Sequence, residues 1–303
     1  MNNATPNTIP EYLEALRYEL RDADPALLQD ALYDAEEYLR SELAENPGMD
    51  EARLLASIAG SYGAPAEVAA IYRDTEVQVA QALRTPPPAP RASLAGRFFG
   101  VMADSRAWTA LFYMLLSLAT GLVYFTVVVA GLSTSAGLAV LIIGIPVVIL
   151  FVGIVRLLSL VEGRLVESML GERMPRRPLY VGRGQPLMTR IGAMFTDPRT
   201  WSTMLYMVLM MPLGILYFTV AVTGLSTSVG MVAGAIAVVL DLAGLVHVDG
   251  NLQLGPFDNA WIGAPVMAVL GVLVLFVTLH LARGIGRLHG GLAKHLLVKT
   301  AQH

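Results

Sequence analysis

Residues able to carry chemistry are few in this 303-residue sequence, and they are scattered. There is no cysteine, which excludes disulfides, thiolate metal sites and a cysteine nucleophile. No nucleophile motif, phosphate loop or zinc signature occurs. The chain is therefore not expected to be an enzyme, nor to hold a cofactor or resident metal. His247-x-Asp249 has the spacing of two metal ligands, but two residues do not make a site, and beside a turn such a pair is more often simple loop polarity. His289 and His295 fall on an amphipathic stretch, where proton sensing competes with a packed or solvated face. Glu162 and Glu167 lie among arginines, so surface salt bridging is the expectation. Asp241 is the most unusual ionisable residue, because it falls in the apolar run 229–246. It marks either a helix end at the water interface or a polar contact for a ligand. Asp241, His247, Asp249, Asn251, Asp258 and Trp261 are together the candidates for receiving a signal.

The elements that must position these residues are mostly apolar. Hydrophobic residues make up 55% of the chain and charged residues 15%, well below the roughly 25% of a soluble domain. The charge is also segregated. Residues 1–84 hold 16 acidic and 6 basic side chains, a formal charge of −10, whereas 85–303 hold 8 and 15, a charge of +7. The start, MNNATPNTIP, has neither a basic nor an apolar run, so membrane insertion is expected to use an internal span.

A duplication dominates the second region. Residues 104–137 align with 197–230 at an offset of 93, with 18 of 34 positions identical. The shared residues include Asp104-x-Arg106-x-Trp108 with Asp197-x-Arg199-x-Trp201, Tyr113-Met114 with Tyr206-Met207, and Tyr124-Phe125 with Tyr217-Phe218. Each copy opens with a run long enough to span, Ala107–Ala130 and Thr200–Thr223, and Leu-Ser-Thr-Ser is expected to turn the chain. Copy one returns through Gly137–Leu158. In copy two Gly263-x-Pro265 matches Gly144-x-Pro146 at an offset of 119, leaving an insertion before the final span. Lys and Arg are missing from 107–155 and 200–282, and cluster in the central loop and after the last span. The positive-inside rule then places both clusters, and both termini, in the cytoplasm. Four spans follow. Val229–Val246 is expected as a re-entrant or outer-surface helix, since a fifth span would put the last basic cluster outside. Val246–Leu254, with Asp249-Gly250-Asn251 at its centre, predicts a short outer β-hairpin. Amphipathic helices should return along the cytoplasmic face, where Arg156-x-x-x-Leu160-Val161-x-Gly163 echoes Arg283-x-x-x-Arg287-Leu288-x-Gly290. Two-span copies that start on one side imply a pseudo-two-fold axis along the membrane normal.

The acidic region predicts four helices: about 10–21, 25–45 after an Asp24 cap and Pro25, 51–61 after Asp50, and one from Pro65. Asp30, Asp34, Glu37 and Glu45 are expected to face water. The first three are candidates for docking a basic partner. A charge of −10 argues against direct nucleic-acid binding. The fold class is thus an all-α membrane protein: a four-helix soluble domain (8–84), a Pro-rich linker and interfacial helix (85–106), a first repeat (107–170), a cytoplasmic loop (171–199), and a second repeat (200–298) with an outer insertion (229–262). The helix at 91–102 fits either the membrane interface or a protein face.

Two resemblances add to this. Tyr12-Leu13-x-x-Leu16, Ala31-Leu32-Tyr33-Asp34-Ala35-Glu36-Glu37-Tyr38 and Tyr62-Gly63-Ala64-Pro65-Ala66-Glu67-Val68-Ala69 resemble the HAAS-type helical signalling domain of bacteria, with Ala64 where the usual motif has a capping Asp. Pro212-Leu213-Gly214-x-x-Tyr217-Phe218, Leu254-Gly255-Pro256 to Trp261, and Leu281-Ala282-Arg283-x-x-x-Arg287-Leu288-His289 are similar to the sensor domain of bacterial receptors, over about 95–298. The resemblances imply a multi-pass protein of the bacterial inner membrane that passes an envelope signal to a cytoplasmic protein, such as a PadR-like transcription factor. A homo-oligomer is compatible with four spans. A small oligomeric transporter or channel is the alternative.

Overall fold

The structure, a computed structural model, describes residues 6–58, 60–83, 93–138, 144–175, 192, 196–247 and 259–298. The acidic region forms α1 (Ile9–Glu19), α2 (Pro25–Glu45), α3 (Glu51–Ile58) and α4 (Pro65–Leu83) around their own core, which includes Ile9, Tyr12, Leu16, Leu39, Leu54 and Val68. The expected caps hold: Thr8 Oγ1 accepts from Glu11 N and Asp24 Oδ1 from Ala26 N. At α4, where Ala64 cannot cap, Glu67 reaches back to accept from the Ala64 N–H at 3.0 Å. That is the N3 half of a capping box, so an end read as uncapped is served from inside the helix. Gly63 precedes it at φ +105°, a conformation that favours glycine, and its carbonyl accepts from Tyr12 Oη at 2.9 Å.

Next come the short α5 (Leu94–Phe99), a 3₁₀ turn (Gly100–Ala103), α6 (Ser105–Leu138), α7 (Gly144–Leu165), a π turn (Val166–Leu170), α8 (Pro198–Leu242) and α9 (Ala260–Leu297). Four of these helices are long and apolar enough to cross a membrane, and large apolar side chains such as Phe112, Leu122, Leu150 and Leu216 cover their outsides. The turns expected at Leu-Ser-Thr-Ser do not form; both copies stay helical within α6 and α8. Val229–Val246 is not a separate helix either. It continues α8 to Leu242, making 45 residues, or about 67 Å at 1.5 Å per residue. Small and apolar residues offer no cap or break there, so backbone hydrogen bonding simply propagates. The returning amphipathic helices are also absent as separate elements: α9 runs unbroken to Leu297, and α7 passes into the π turn that Gly171 ends at φ +78°. No strand occurs among the described residues, and the hairpin expected at Val246–Leu254 lies outside them from 248 onward. Of the two settings for the helix at 91–102, the protein face is realised. Val101 is buried, Phe98 packs on Phe276 and His280, and the Phe98 carbonyl meets His280 Nε2 at 3.1 Å.

The repeats pack differently from expectation. A Cβ on Gly121 would stand 2.4 Å from the Met210 carbonyl oxygen, and one on Gly214 2.3 Å from that of Ser117. At the repeat offset Ser117 corresponds to Met210 and Gly121 to Gly214, so a single contact is made twice. Its register rises on α6 as it falls on α8. The core clusters join Ala107, Ala110, Leu111 and Met114 to Tyr217 and Ala221, and Tyr124 and Val128 to Met204, Met207 and Met210, so these helices run antiparallel. The pseudo-two-fold axis therefore lies across α6 and α8, not along them. Charge placement constrains loops, whereas this axis is set by helix contact, and the two disagree. Antiparallel α6 and α8, if both cross a membrane, start on opposite faces of it, where the charge rule puts both starts on one. The second helices match at an offset of 127. Gly131 faces the Phe151 ring as Gly224 faces Thr278. Arg156 pairs with Asp197 at 3.9 Å as Arg283 pairs with Asp104 at 3.2 Å. The Gly-x-Pro match at 119 is not the packing correspondence.

The acidic helices are docked on the basic part of the chain. Lys294 Nζ lies 2.5 Å from Asp24 Oδ2. Arg173 reaches Asp30 at 3.4 Å and Glu76 at 3.2 Å, and Arg199 donates to Gln29 Oε1 at 3.3 Å. Asp30, expected to face water, is 6% exposed because this contact covers it. Asp34 accepts from Tyr72 Oη at 3.0 Å, and Glu37 is half-buried.

Candidate functional site

The signal-receiving candidates chosen from sequence do not converge. Asp241 and His247 are exposed around the end of α8, and Trp261 is 71% exposed in the first turn of α9. Asp249, Asn251 and Asp258 lie outside the described residues. No group of three or more His, Asp or Glu able to hold a metal occurs among the described residues.

A different set converges instead. Glu162 on α7 is 0% exposed and His289 on α9 is 1% exposed. Both face into the junction of the four long helices, with Tyr113 and Tyr124 from α6 and Tyr206 and Tyr217 from α8. Glu162 Oε1 accepts from Tyr113 Oη at 2.6 Å and from Tyr206 Oη at 2.7 Å, and Oε2 accepts from Tyr124 Oη at 2.9 Å. His289 Nε2 lies 2.6 Å from Tyr113 Oη and 2.9 Å from Tyr206 Oη, and Nδ1 lies 3.3 Å from Tyr217 Oη. Glu162 and His289 approach to 4.0 Å.

The proton inventory follows from these partners. Tyr113 and Tyr206 each have one hydroxyl hydrogen, and an ionised Glu162 takes both. They can only accept from His289, so Nε2 carries a hydrogen shared between them. Nδ1 then has two options. In the neutral ring it accepts from Tyr217; in the imidazolium it donates to Tyr217, whose hydroxyl rotates. The same heavy-atom positions thus serve a cluster of net charge −1 and one of net charge 0, differing by one proton. A buried carboxylate is tolerable here because three hydroxyls solvate it.

The six residues are three repeat-related pairs. Tyr113 matches Tyr206 and Tyr124 matches Tyr217 at 93, while Glu162 matches His289 at 127. Each tyrosine touches its equivalent partner: Tyr124 meets Glu162 as Tyr217 meets His289, and Tyr113 and Tyr206 bridge both. The duplication built a symmetric pocket and then placed an acid in one half and a base in the other. From sequence, Glu162 is expected on a salt-bridged surface and His289 either in proton sensing or on a packed or solvated face; both are instead buried at this junction. The signal that could have found them was present, since each occupies the unspecified position before Gly163 and Gly290 in the echoed segments.

A family model described as "Putative sensor" matches residues 113–297. That interval contains all six cluster residues and leaves α1–α4 outside it, so the HAAS resemblance of the N-terminal helices gains nothing from the match. No curated relative and no solved structure matches the chain.

Proposed function

The chain belongs to this sensor family, and we propose that it is a membrane sensor that reads a signal at the buried Glu162–His289 cluster and passes it on through the acidic helices α1–α4. The observation that carries this reading is the convergence of an acid, a base and four tyrosines from four membrane-length helices at one buried point. Ionisable groups so placed are costly and usually functional. A change of one proton or a bound cation alters the hydrogen-bond directions of all four helices together. Output follows from the docking. Residues Asp24, Gln29 and Asp30, around the start of α2, are held by Lys294, Arg199 and Arg173 from three parts of the membrane region. Helix rearrangement loosens these contacts and frees an acidic surface for a basic cytoplasmic partner, for which a PadR-like regulator is the candidate. A bacterial inner-membrane location and the HAAS-type role belong to this same proposal.

The chain has no cysteine, so the test uses a clean background. An Asp24→Cys/Lys294→Cys variant, treated with a short bismaleimide in membranes, is expected to cross-link efficiently. Adding Glu162→Gln or His289→Gln should change that yield several-fold. An unchanged yield in both would remove the link between cluster and output. Sidedness is checked separately, because the Asp24–Lys294 contact requires both partners in one compartment. The positive-inside rule puts the N-terminus and His303 together in the cytoplasm, whereas antiparallel α6 and α8, if both cross the membrane, put them on opposite faces. Reporters fused at both ends decide, and the docking model requires one face. Opposite sides would end the docking model.

A small oligomeric transporter is favoured by one observation: the ionisable pair lies at the interface of two antiparallel repeats, where coupling sites of secondary transporters are built. Proton-coupled flux into proteoliposomes that is abolished by Glu162→Gln would move the assignment there.

A further inference from the structure

The pseudo-two-fold axis generates a second pair of sites, one at each end of the α6–α8 crossing. One is a cavity of about 350 Å³ lined by Arg106, Arg283, Arg287, Gly171, Glu172 and Gly286. The other is a cavity of about 60 Å³ lined by Arg156, Arg199, Asp197, Ser159 and Thr203, with Gln29 of α2 closing it. They are the same site in two copies. At the repeat offsets Arg106 corresponds to Arg199, Arg283 to Arg156 and Gly286 to Ser159. In the smaller one the N-terminal domain inserts Gln29, whose Oε1 accepts from Arg199. Among the described residues nothing plugs the larger one. It also carries an additional cation, because Arg287 stands where the other copy has Leu160.

We infer that the open cavity binds a phosphate-bearing ligand. Three guanidinium groups line it against one carboxylate, Glu172, which lies 4.0 Å from Lys294. Arg283 is held by Asp104 at 3.2 Å, but among the described residues Arg106 and Arg287 have no carboxylate partner. Two free guanidinium forks facing one concavity match the geometry of a phosphate, which accepts two parallel N–H bonds from each. The volume falls within the range of small-ligand sites. A phospholipid headgroup and a soluble phosphate ester present the same group. Phe99 and Met102, exposed immediately before α6, and Trp108 in its first turns offer apolar surface at the same end of the helix for an acyl chain.

The test uses the full-length protein in detergent. Native mass spectrometry measures retained phosphatidylglycerol against phosphatidylcholine, and calorimetry measures glycerol phosphate and inorganic phosphate. At least one phosphate probe should bind, and Arg106→Gln/Arg287→Gln should weaken it by about tenfold or more, while Arg164→Gln, outside the cavity, leaves it unchanged. Retention of phosphatidylglycerol without glycerol phosphate binding identifies a lipid headgroup; glycerol phosphate binding identifies a soluble ester. Both arginines are exposed, so the melting temperature should hold. Arg287→Lys, which keeps the charge but loses the fork, should fall between wild type and the double variant. The inference is overturned if no probe binds, if the double variant binds as well as wild type, or if that variant loses only self-association, which would mean that the acidic helix of a second copy fills the cavity.

Discussion

Glu162→Leu should lower the stability of the membrane region by about 3–5 kcal/mol, the usual cost of removing one partner from a buried charged network. The carboxylate accepts the hydroxyl hydrogens of Tyr113, Tyr206 and Tyr124. Leucine would leave three buried donors without acceptors, and His289 would lose the charge 4.0 Å away. Glu162→Gln should cost less, about 1–3 kcal/mol, because its amide oxygen still accepts while its NH₂ forces one tyrosine to reverse. His289→Leu strands the acceptor sides of Tyr113 and Tyr206 and should fall between them. Since the two residues share both tyrosines, the Glu162→Leu/His289→Leu double variant should lose less than the two single losses combined. Melting of the purified protein in detergent reads all four variants. A Glu162→Leu protein that melts with wild type would mean that the network is not formed, and the sensor proposal would lose its site.

The cluster was half legible in the sequence. The repeat exposed Tyr113 with Tyr206 and Tyr124 with Tyr217, because identical residues at a fixed offset stand out. Glu162 and His289 did not, because the duplication kept their position and changed their chemistry. Identity scoring passes over such a pair, and burial cannot be read from a helix end where arginines stand nearby. Arg164, two residues from Glu162, snorkels outward to Glu167 at 3.1 Å, so the local composition is that of a surface while one side chain points to the centre.

The fold divides along the same line. Helix starts in the acidic region were legible because Thr8, Asp24-Pro25, Asp50 and Pro65 are local signals, and each acts within one turn. Four membrane-length helices were legible from apolar length. Their ends were not, because Leu-Ser-Thr-Ser and Val229–Leu242 contain nothing that a helix cannot absorb. The direction of packing was also hidden. Antiparallel contact of α6 with α8 depends on which face of each helix is smooth enough for another backbone, and Gly121 and Gly214 provide that only in relation to each other.

Those two glycines set the second large effect. A methyl group at Gly121 would stand 2.4 Å from the Met210 carbonyl oxygen, and one at Gly214 2.3 Å from that of Ser117. Both distances lie far inside van der Waals contact, and both obstacles are helix backbone, which cannot rotate away as a side chain can. Gly→Ala gains helix propensity by as much as about 1 kcal/mol, so an exposed site would be stabilised. Here α6 and α8 must instead separate along their whole contact. The cost of overpacking, about 1–3 kcal/mol and at times more, should exceed the propensity gain. Gly121→Ala and Gly214→Ala should each lower the melting temperature, and Gly121→Val should do so further. The control is Gly153→Ala on α7, where a Cβ would meet nothing within 4 Å; it should be neutral or stabilising. Separation of the helices also draws Tyr113 and Tyr206 apart, so Gly121→Ala should alter the Asp24→Cys/Lys294→Cys cross-linking yield in the same direction as Glu162→Gln. A Gly121→Ala protein as stable as Gly153→Ala would show that α6 and α8 do not meet at these positions, and the transverse two-fold axis would have to be abandoned.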